Sequence, residues 1–205
     1  MADWQRVTAA GADFELKTFE VGTMGNMIYI VRDPDTHEGF VIDAGFEPEK
    51  IAAETGDTKV QAILITHGHW DHHDNLDALK GQLGVPSAVG ELDQDLLHSR
   101  PDQVLVDRQE LPFGKNVLKA IHTPGHTPGS TCFTVGNALF SGDTLFPGGV
   151  GNTKNATGHF FTIIRSVESR LLSLPDDTVI YPGHGKPSTI GAEKPSLPEW
   201  KERGW

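Results

Sequence analysis

The chain predicts a layered α/β protein. Three features point there: short apolar runs rich in β-branched residues, two segments with helical spacing, and a dense set of metal-ligand side chains directly after one run. The early runs Phe14 to Phe19, Met27 to Val31 and Phe40 to Ile42 have the length and composition of strands. Val60 to Ile65 (VQAILI) reads as a buried strand. Asn75 to Leu83 follows as a short helix, with Leu76, Leu79 and Leu83 on one face, a costly Gly81 inside it, and Gly84 and Pro86 as stop signals. Thr131 to Val135 alternates as a strand does, and Phe160 to Leu174 carries Phe160, Ile163, Ile164, Val167 and Leu171 at amphipathic-helix spacing. The last stretch, Gly191 to Trp205, is polar and interrupted by proline, which predicts a surface tail with a short helix around Pro198 to Arg203. No repeat, low-complexity tract or linker divides these elements, so residues 1–205 are expected to form one domain.

The strand at Val60 to Ile65 runs into Thr66-His67-Gly68-His69-Trp70-Asp71-His72-His73, where His67, His69, Asp71 and His72 place four candidate ligands within six residues. Three more candidates, His126, Asp143 and His184, each follow an apolar run in a turn rich in glycine or proline, a setting that can aim a side chain inward. Five imidazoles and two carboxylates exceed the roughly four ligands that one tetrahedral zinc takes, so two divalent ions are the simpler inference. A nitrogen and oxygen set without thiolate suits zinc, iron(II) or manganese, and the donor types alone do not rank them.

These turns resemble those of the metallo-β-lactamase-fold hydrolases, and more narrowly the hydroxyacylglutathione hydrolase (glyoxalase II) branch, in HTPGHTPGS around His126, GDTLF around Asp143 and PGH ending at His184. The resemblance runs from about Met24 to Ile190 and implies a four-layer αβ/βα sandwich. It also implies that His67, His69 and His126 hold one ion, that Asp71, His72 and His184 hold the other, and that Asp143 bridges them. Asp43 resembles a residue that braces the ligand loop from behind, the same place a structural turn aspartate would take.

Two ions some 3.5–4 Å apart can bind a hydroxide between them and clamp the oxygens of a hydrolytic transition state, with Asp71 orienting the nucleophile as well as ligating. A thiolate leaves readily because its conjugate acid has a pKa near roughly 8.5, so a thioester needs no protein general acid. That chemistry only permits a thioester; the resemblance of GDTLF and the following glycine loop Gly148-Gly149-Val150-Gly151 to the glyoxalase II branch implies hydrolysis of a thioester of a small thiol. The chain departs from the larger glyoxalase II enzymes in two ways. Asn152-Thr153-Lys154-Asn155 stands where they carry a basic residue and a tyrosine that meet glutathione, and only 21 residues follow His184, too few for their helical C-terminal domain. The chain thus resembles the short single-domain bacterial branch, as Ser188 to Glu193 also does, and a thiol carrier other than glutathione is open. Persulfide dioxygenases share the fold and motifs and use one iron held by the counterparts of His67, His126 and Asp143, with His69 as a further candidate; GDTLF and the full second ligand set favour hydrolysis. A metal-binding protein without catalysis would not need seven ligands in open turns.

Seventeen basic against 28 acidic residues give a net charge of −11, which speaks against a nucleic-acid partner and for a small-molecule substrate. No signal segment opens the chain and no apolar run is long enough to span a membrane, so a cytoplasmic protein is expected, with its oligomeric state open. The single cysteine, Cys132, reads as a buried small hydrophobe. Lactamases of the common zinc type carry a cysteine at the counterpart of Asp143, which disfavours a β-lactam substrate. Among the other histidines, His37, His98, His122 and His159 are expected away from the site, and His73 is expected to face solvent. Trp70 is expected to pack away from its flanking ligands, and Lys154 to be a solvated loop residue.

Overall fold

The computed structural model describes residues 2–204, so Met1 and Trp205 lie outside the described residues. Two β-sheets face each other. The first has seven strands in sequence order: β1 (Gln5–Ala9), β2 (Ala12–Val21), β3 (Asn26–Arg32), β4 (Glu38–Ile42), β5 (Lys59–Ile65), β6 (Ser87–Gly90) and β7 (Gln103–Leu105). Pairing is antiparallel from β1 to β4 and parallel from β4 to β7, with α1 (Pro48–Thr55) and α2 (Leu76–Leu83) in the crossovers. The second sheet is built from β8 (Glu110–Phe113), β9 (Asn116–His122), β10 (Thr131–Val135), β11 (Ala138–Gly142), β14 (Val179–Pro182) and β15 (Ser188–Thr189). A small hairpin of β12 (Leu145–Phe146) and β13 (Gly149–Val150) stands apart, and α3 (Phe160–Ser166), α4 (Ile190–Glu193) and α5 (Leu197–Arg203) complete the chain.

Strand periodicity sorts the apolar side chains into three cores. Along β3, Tyr29 and Val31 face the second sheet while Ile28 and Ile30 face α1 and α2; along β5, Ala62 and Leu64 go inward while Ile63 and Ile65 meet the helices. Both faces of these strands are covered, which is why VQAILI is a continuous apolar run rather than an alternating one. A third cluster packs Leu139 and Ile180 of the second sheet under Ile163, Ile164 and Leu171. The four layers are therefore helix, sheet, sheet, helix, as the resemblance implies. Each fully buried Leu or Ile in these cores contributes about 1.5–3 kcal/mol of transfer free energy.

The early strands extend beyond the apolar runs that mark them: β2 covers Ala12–Val21, and a preceding strand, β1, had no such run. The helix expected over Phe160 to Leu174 is α-helical only to Ser166 and continues as a π-helical turn over Val167–Leu171. The C-terminal segment is not a surface tail. Trp200 of α5 is 1% exposed in the third core, because its indole supplies the apolar area that the polar neighbours in the sequence concealed. Cys132 is buried, and burial pushes its thiol up to about 11, so it packs as a small hydrophobe. No helix among the described residues is long and apolar enough to cross a membrane.

Candidate metal centre

The parallel strands β4 and β5 end at one edge of the sandwich, and their C-terminal loops meet those that follow β9, β11 and β14 there. His67, His69, Asp71 and His72 follow β5; His126 lies between β9 and β10; Asp143 follows β11; His184 follows β14. All seven side chains converge. Ligand atoms of His67, His69 and His126 lie within 4.8 Å of one another, as do those of His67, His72 and Asp143, and those of Asp71, His72 and His184.

Asp143 sits between the groups. Its Oδ2 is 3.5 Å from His126 Nε2 and 3.7 Å from His184 Nε2, and its Oδ1 is 3.6 Å from His72 Nε2. Asp71 Oδ2 is 3.2 Å from His184 Nε2 and accepts from Asn26 Nδ2 at 3.0 Å. Gly183, just before His184, permits this crowding, because a Cβ there would lie 2.3 Å from Asp143 Oδ1 and 2.8 Å from His72 Cε1.

The outward nitrogens of the five imidazoles show which nitrogen of each ring is left for a ligand role. His126 Nδ1 donates to the Asn152 carbonyl (2.8 Å), His184 Nδ1 to the Met24 carbonyl (3.0 Å) and His72 Nδ1 to Asp43 Oδ2 (2.8 Å). The Thr66 hydroxyl donates to Asp43 Oδ2 and so accepts from His67 Nδ1, and the Thr157 hydroxyl can accept from His69 Nε2. Each ring thereby keeps a proton on its outward nitrogen and turns its other nitrogen inward, the one that would hold a metal ion. Those inward nitrogens face each other, His67 Nε2 to His126 Nε2 at 3.2 Å, His69 Nδ1 to His126 Nε2 at 2.8 Å, and His72 Nε2 to His184 Nε2 at 3.2 Å. Burial disfavours a proton on His67, His69 and His126, and unprotonated nitrogens so opposed repel unless a cation accepts their lone pairs. Asp143 Oδ1 is also buried with no hydrogen-bond partner, so the donor set fits divalent metal ions.

Electrostatics divides the site. Burial pushes His67 well below the usual imidazole range and the neighbouring rings add to it; burial likewise lowers His69 and His126. Burial opposes protonation of His72 too, but Asp43, Asp143 and Asp71 outweigh it and push it up to about 9. His184 is raised against burial by Asp71 and Asp143. Burial would raise Asp71, but His184, His72 and Asn26 hold it below the usual carboxylate range. The second group is thus a pocket that attracts positive charge.

The remaining histidines are placed as expected with one exception. His122 bonds the Pro128 carbonyl, His159 caps α3, and His37 pairs with Asp57. His73 does not face solvent. It is 3% exposed, stacks edgewise on His98, and donates from Nε2 to the Gly68 carbonyl at 3.3 Å, because the 3-10 turn Trp70–His72 rotates it back under the ligand loop. Trp70 is half exposed and lies edge-on to Phe46. The sequence reading missed Asn26, Thr66 and Thr157, whose partners lie 45, 23 and 88 residues away or act through a carboxylate, so no local pattern signals them.

Comparison with known proteins agrees with this architecture. A hydroxyacylglutathione hydrolase, GloC, of Haemophilus influenzae is 36% identical over 187 residues, covering 80% of this chain and 88% of that protein. Among solved structures, the BLEG-1 B3 metallo-beta-lactamase superposes with a TM-score of 0.82 at 26% identity, covering 90% of this chain and 98% of that one. TTHA1623 in a di-iron-bound form superposes at 0.74 with 32% identity, covering 86% and 96%. The model of the metallo-beta-lactamase superfamily matches residues 21–184, a span that contains every one of the seven converging side chains, and the chain belongs to that superfamily.

Proposed function

We propose that this metallo-hydrolase is a two-metal enzyme that cleaves a thioester of a small thiol. The observation that carries the reading is the position of Asp143, whose two oxygens reach toward both ligand groups at once. In this reading His67, His69 and His126 would hold one ion and Asp71, His72 and His184 the other, with Asp143 placed between the two groups. The relative in a di-iron form supports a count of two, and the relative described as a hydroxyacylglutathione hydrolase supports a thioester. Zinc is the proposed ion, with iron or manganese suited to the same donors.

When bound, the ions supply a water nucleophile ionised near neutral pH and an electrophile for the carbonyl oxygen. The chain's own residues do the rest. Asp71, held ionised and fixed by Asn26, accepts a hydrogen bond from the attacking water at Oδ2 and aims it. A thiolate departs without a proton, so no general acid is needed. Val150, Gly151, Asn152, Thr153 and Lys154 line a cavity of ≈ 250 Å³ next to His126, which takes the thiol side of the substrate.

Elemental analysis of protein purified without added metal, paired with thioester and β-lactam assays on the same sample, tests this. About two equivalents of metal with thioester turnover are expected. A second reading, a mononuclear iron persulfide dioxygenase, would use His67, His126 and Asp143, whose Oδ2 lies 3.5 Å from His126 Nε2. One equivalent of iron, oxygen consumption on a persulfide and no thioester turnover would establish it instead.

A further inference from the structure

Asp93 lies in the 3-10 helix Glu91–Leu96, outside the seven converging side chains, and is 0% exposed. Its carboxylate joins two ligand loops. Oδ2 accepts from Gly68 N at 2.7 Å and from the Thr127 hydroxyl at 2.5 Å, and Oδ1 accepts from Gly129 N at 2.6 Å. Gly68 is the residue between His67 and His69, and Thr127 follows His126. One carboxylate therefore tethers the loops carrying all three imidazoles of the first group.

The junction has no slack. A Cβ at Gly129 would lie 2.5 Å from Asp93 N and 2.7 Å from Asp93 Cγ, and one at Gly68 would meet Leu96 Cβ at 2.6 Å. Thr127 is in turn fixed by Ser130, whose hydroxyl lies 2.7 Å from Thr127 Oγ1 and accepts from Thr127 N at 3.0 Å. All three donors to Asp93 are neutral, and Asp93 makes no ion pair with a cation among the described residues. A carboxylate buried without a cation is costly. It is tolerated where fixed amide and hydroxyl dipoles face it and a cation is held close behind them.

We propose that Asp93 is a positioning residue for the first metal ion: it sets the distance between the His67–His69 loop and the His126 loop, and its charge complements the ion those loops hold. The proposal rests on the ligand assignment made above, and it extends that assignment to a residue that touches neither ion nor substrate. Asn at this position would present an amide N–H toward a donor it now accepts from, opening the junction while keeping its volume. Outer partners of metal ligands typically set affinity by about 10- to 100-fold, and Asp93 acts at that level.

The test uses cobalt(II) as the probe and its visible absorption as the readout, in a His184→Ala background that leaves the three-histidine group intact. Asp93→Asn is expected to weaken cobalt binding about 10- to 100-fold and to alter the absorption band. Thr127→Val should weaken it in the same direction, and Thr127→Ser should restore it, because serine keeps the hydroxyl that Asp93 accepts from. As a control, Asn116, a buried polar residue at the opposite end of the sandwich bonded to Asp13 and Asp33, is replaced by Ala. It should lower the melting temperature and leave cobalt affinity unchanged. Cobalt affinity within about twofold of the parent in both Asp93→Asn and Thr127→Val, or an equal loss in Asn116→Ala, would overturn the proposal. A His184→Ala parent that binds no cobalt would overturn the ligand assignment itself and the role of Asp93 with it, whatever Asp93→Asn does.

Discussion

Asp43 holds His72 and Thr66 at once: Oδ2 accepts from His72 Nδ1 at 2.8 Å and from the Thr66 hydroxyl at 2.9 Å, and Oδ1 accepts from Thr66 N at 2.8 Å. Through Thr66 the same carboxylate orients His67, 3.1 Å further on. Asp43 does this from a left-handed backbone, φ 66°, a conformation that aspartate tolerates better than most residues. Asp43→Asn keeps that tolerance and one acceptor, so the fold should survive while metal affinity falls roughly 10- to 100-fold in a chelator competition. Asp43→Ala adds a buried, unsatisfied Thr66 N–H and should cost a further 1–3 kcal/mol or so in denaturant unfolding. Equal metal affinity in wild type and Asp43→Asn would remove Asp43 from the site.

Asp143→Ala should strip most of the bound metal and abolish turnover, whereas His184→Ala should empty chiefly one site and leave about one equivalent by elemental analysis. Gly183→Ala is the informative companion. Its methyl would press on Asp143 Oδ1 and His72 without deleting any ligand, so it should reproduce much of the Asp143→Ala loss. A Gly183→Ala protein with full metal content and full turnover would show that Asp143 need not stand where it does.

The elements nearest the site were the most legible ones. VQAILI and the ligand loop carry their signal within about a dozen consecutive residues, and the three later turns announce themselves by glycine and proline next to the ligand. What escaped was long-range. Asp93 reaches Gly68 and Gly129 across 25 and 36 residues, and Trp200 is buried by residues of the second sheet, so neither sits in a local pattern that a period could reveal. His73 failed for a different reason: a single 3-10 turn after His69 changes the direction of every side chain that follows, and a strand or helix period does not anticipate it.

Gly81 offers a stability prediction independent of the chemistry. It lies exposed inside α2 with an ordinary helical backbone, and a Cβ there would meet nothing within 4 Å. Gly81→Ala should stabilise the protein by about 0.5–1 kcal/mol by restricting the unfolded chain and raising helix propensity. In a chain of this size that corresponds to a rise of roughly 1–4 °C in Tm by calorimetry, with metal content and turnover unchanged. A fall in Tm would mean that α2 needs a flexible residue at this point.

The identity of the thiol is the sharpest test of how far the likeness to GloC extends. A glutathione moiety carries two carboxylates, and the cavity beside His126 offers a single side-chain cation, Lys154, which is exposed and whose neighbours Asn152 and Thr153 are uncharged. Each charged hydrogen bond that a substrate expects and does not receive forgoes about 1.5–3 kcal/mol, or roughly 10- to 150-fold in kcat/KM. S-lactoylglutathione should therefore be turned over at least about tenfold less efficiently than a thioester of a small uncharged thiol. Lys154→Ala should raise KM for anionic thioesters alone and leave kcat unchanged, because Lys154 lies beyond the metal ligands. Efficient turnover of S-lactoylglutathione that Lys154→Ala does not alter would place the glutathione contacts elsewhere on the cleft and overturn the assignment of this cavity to the thiol.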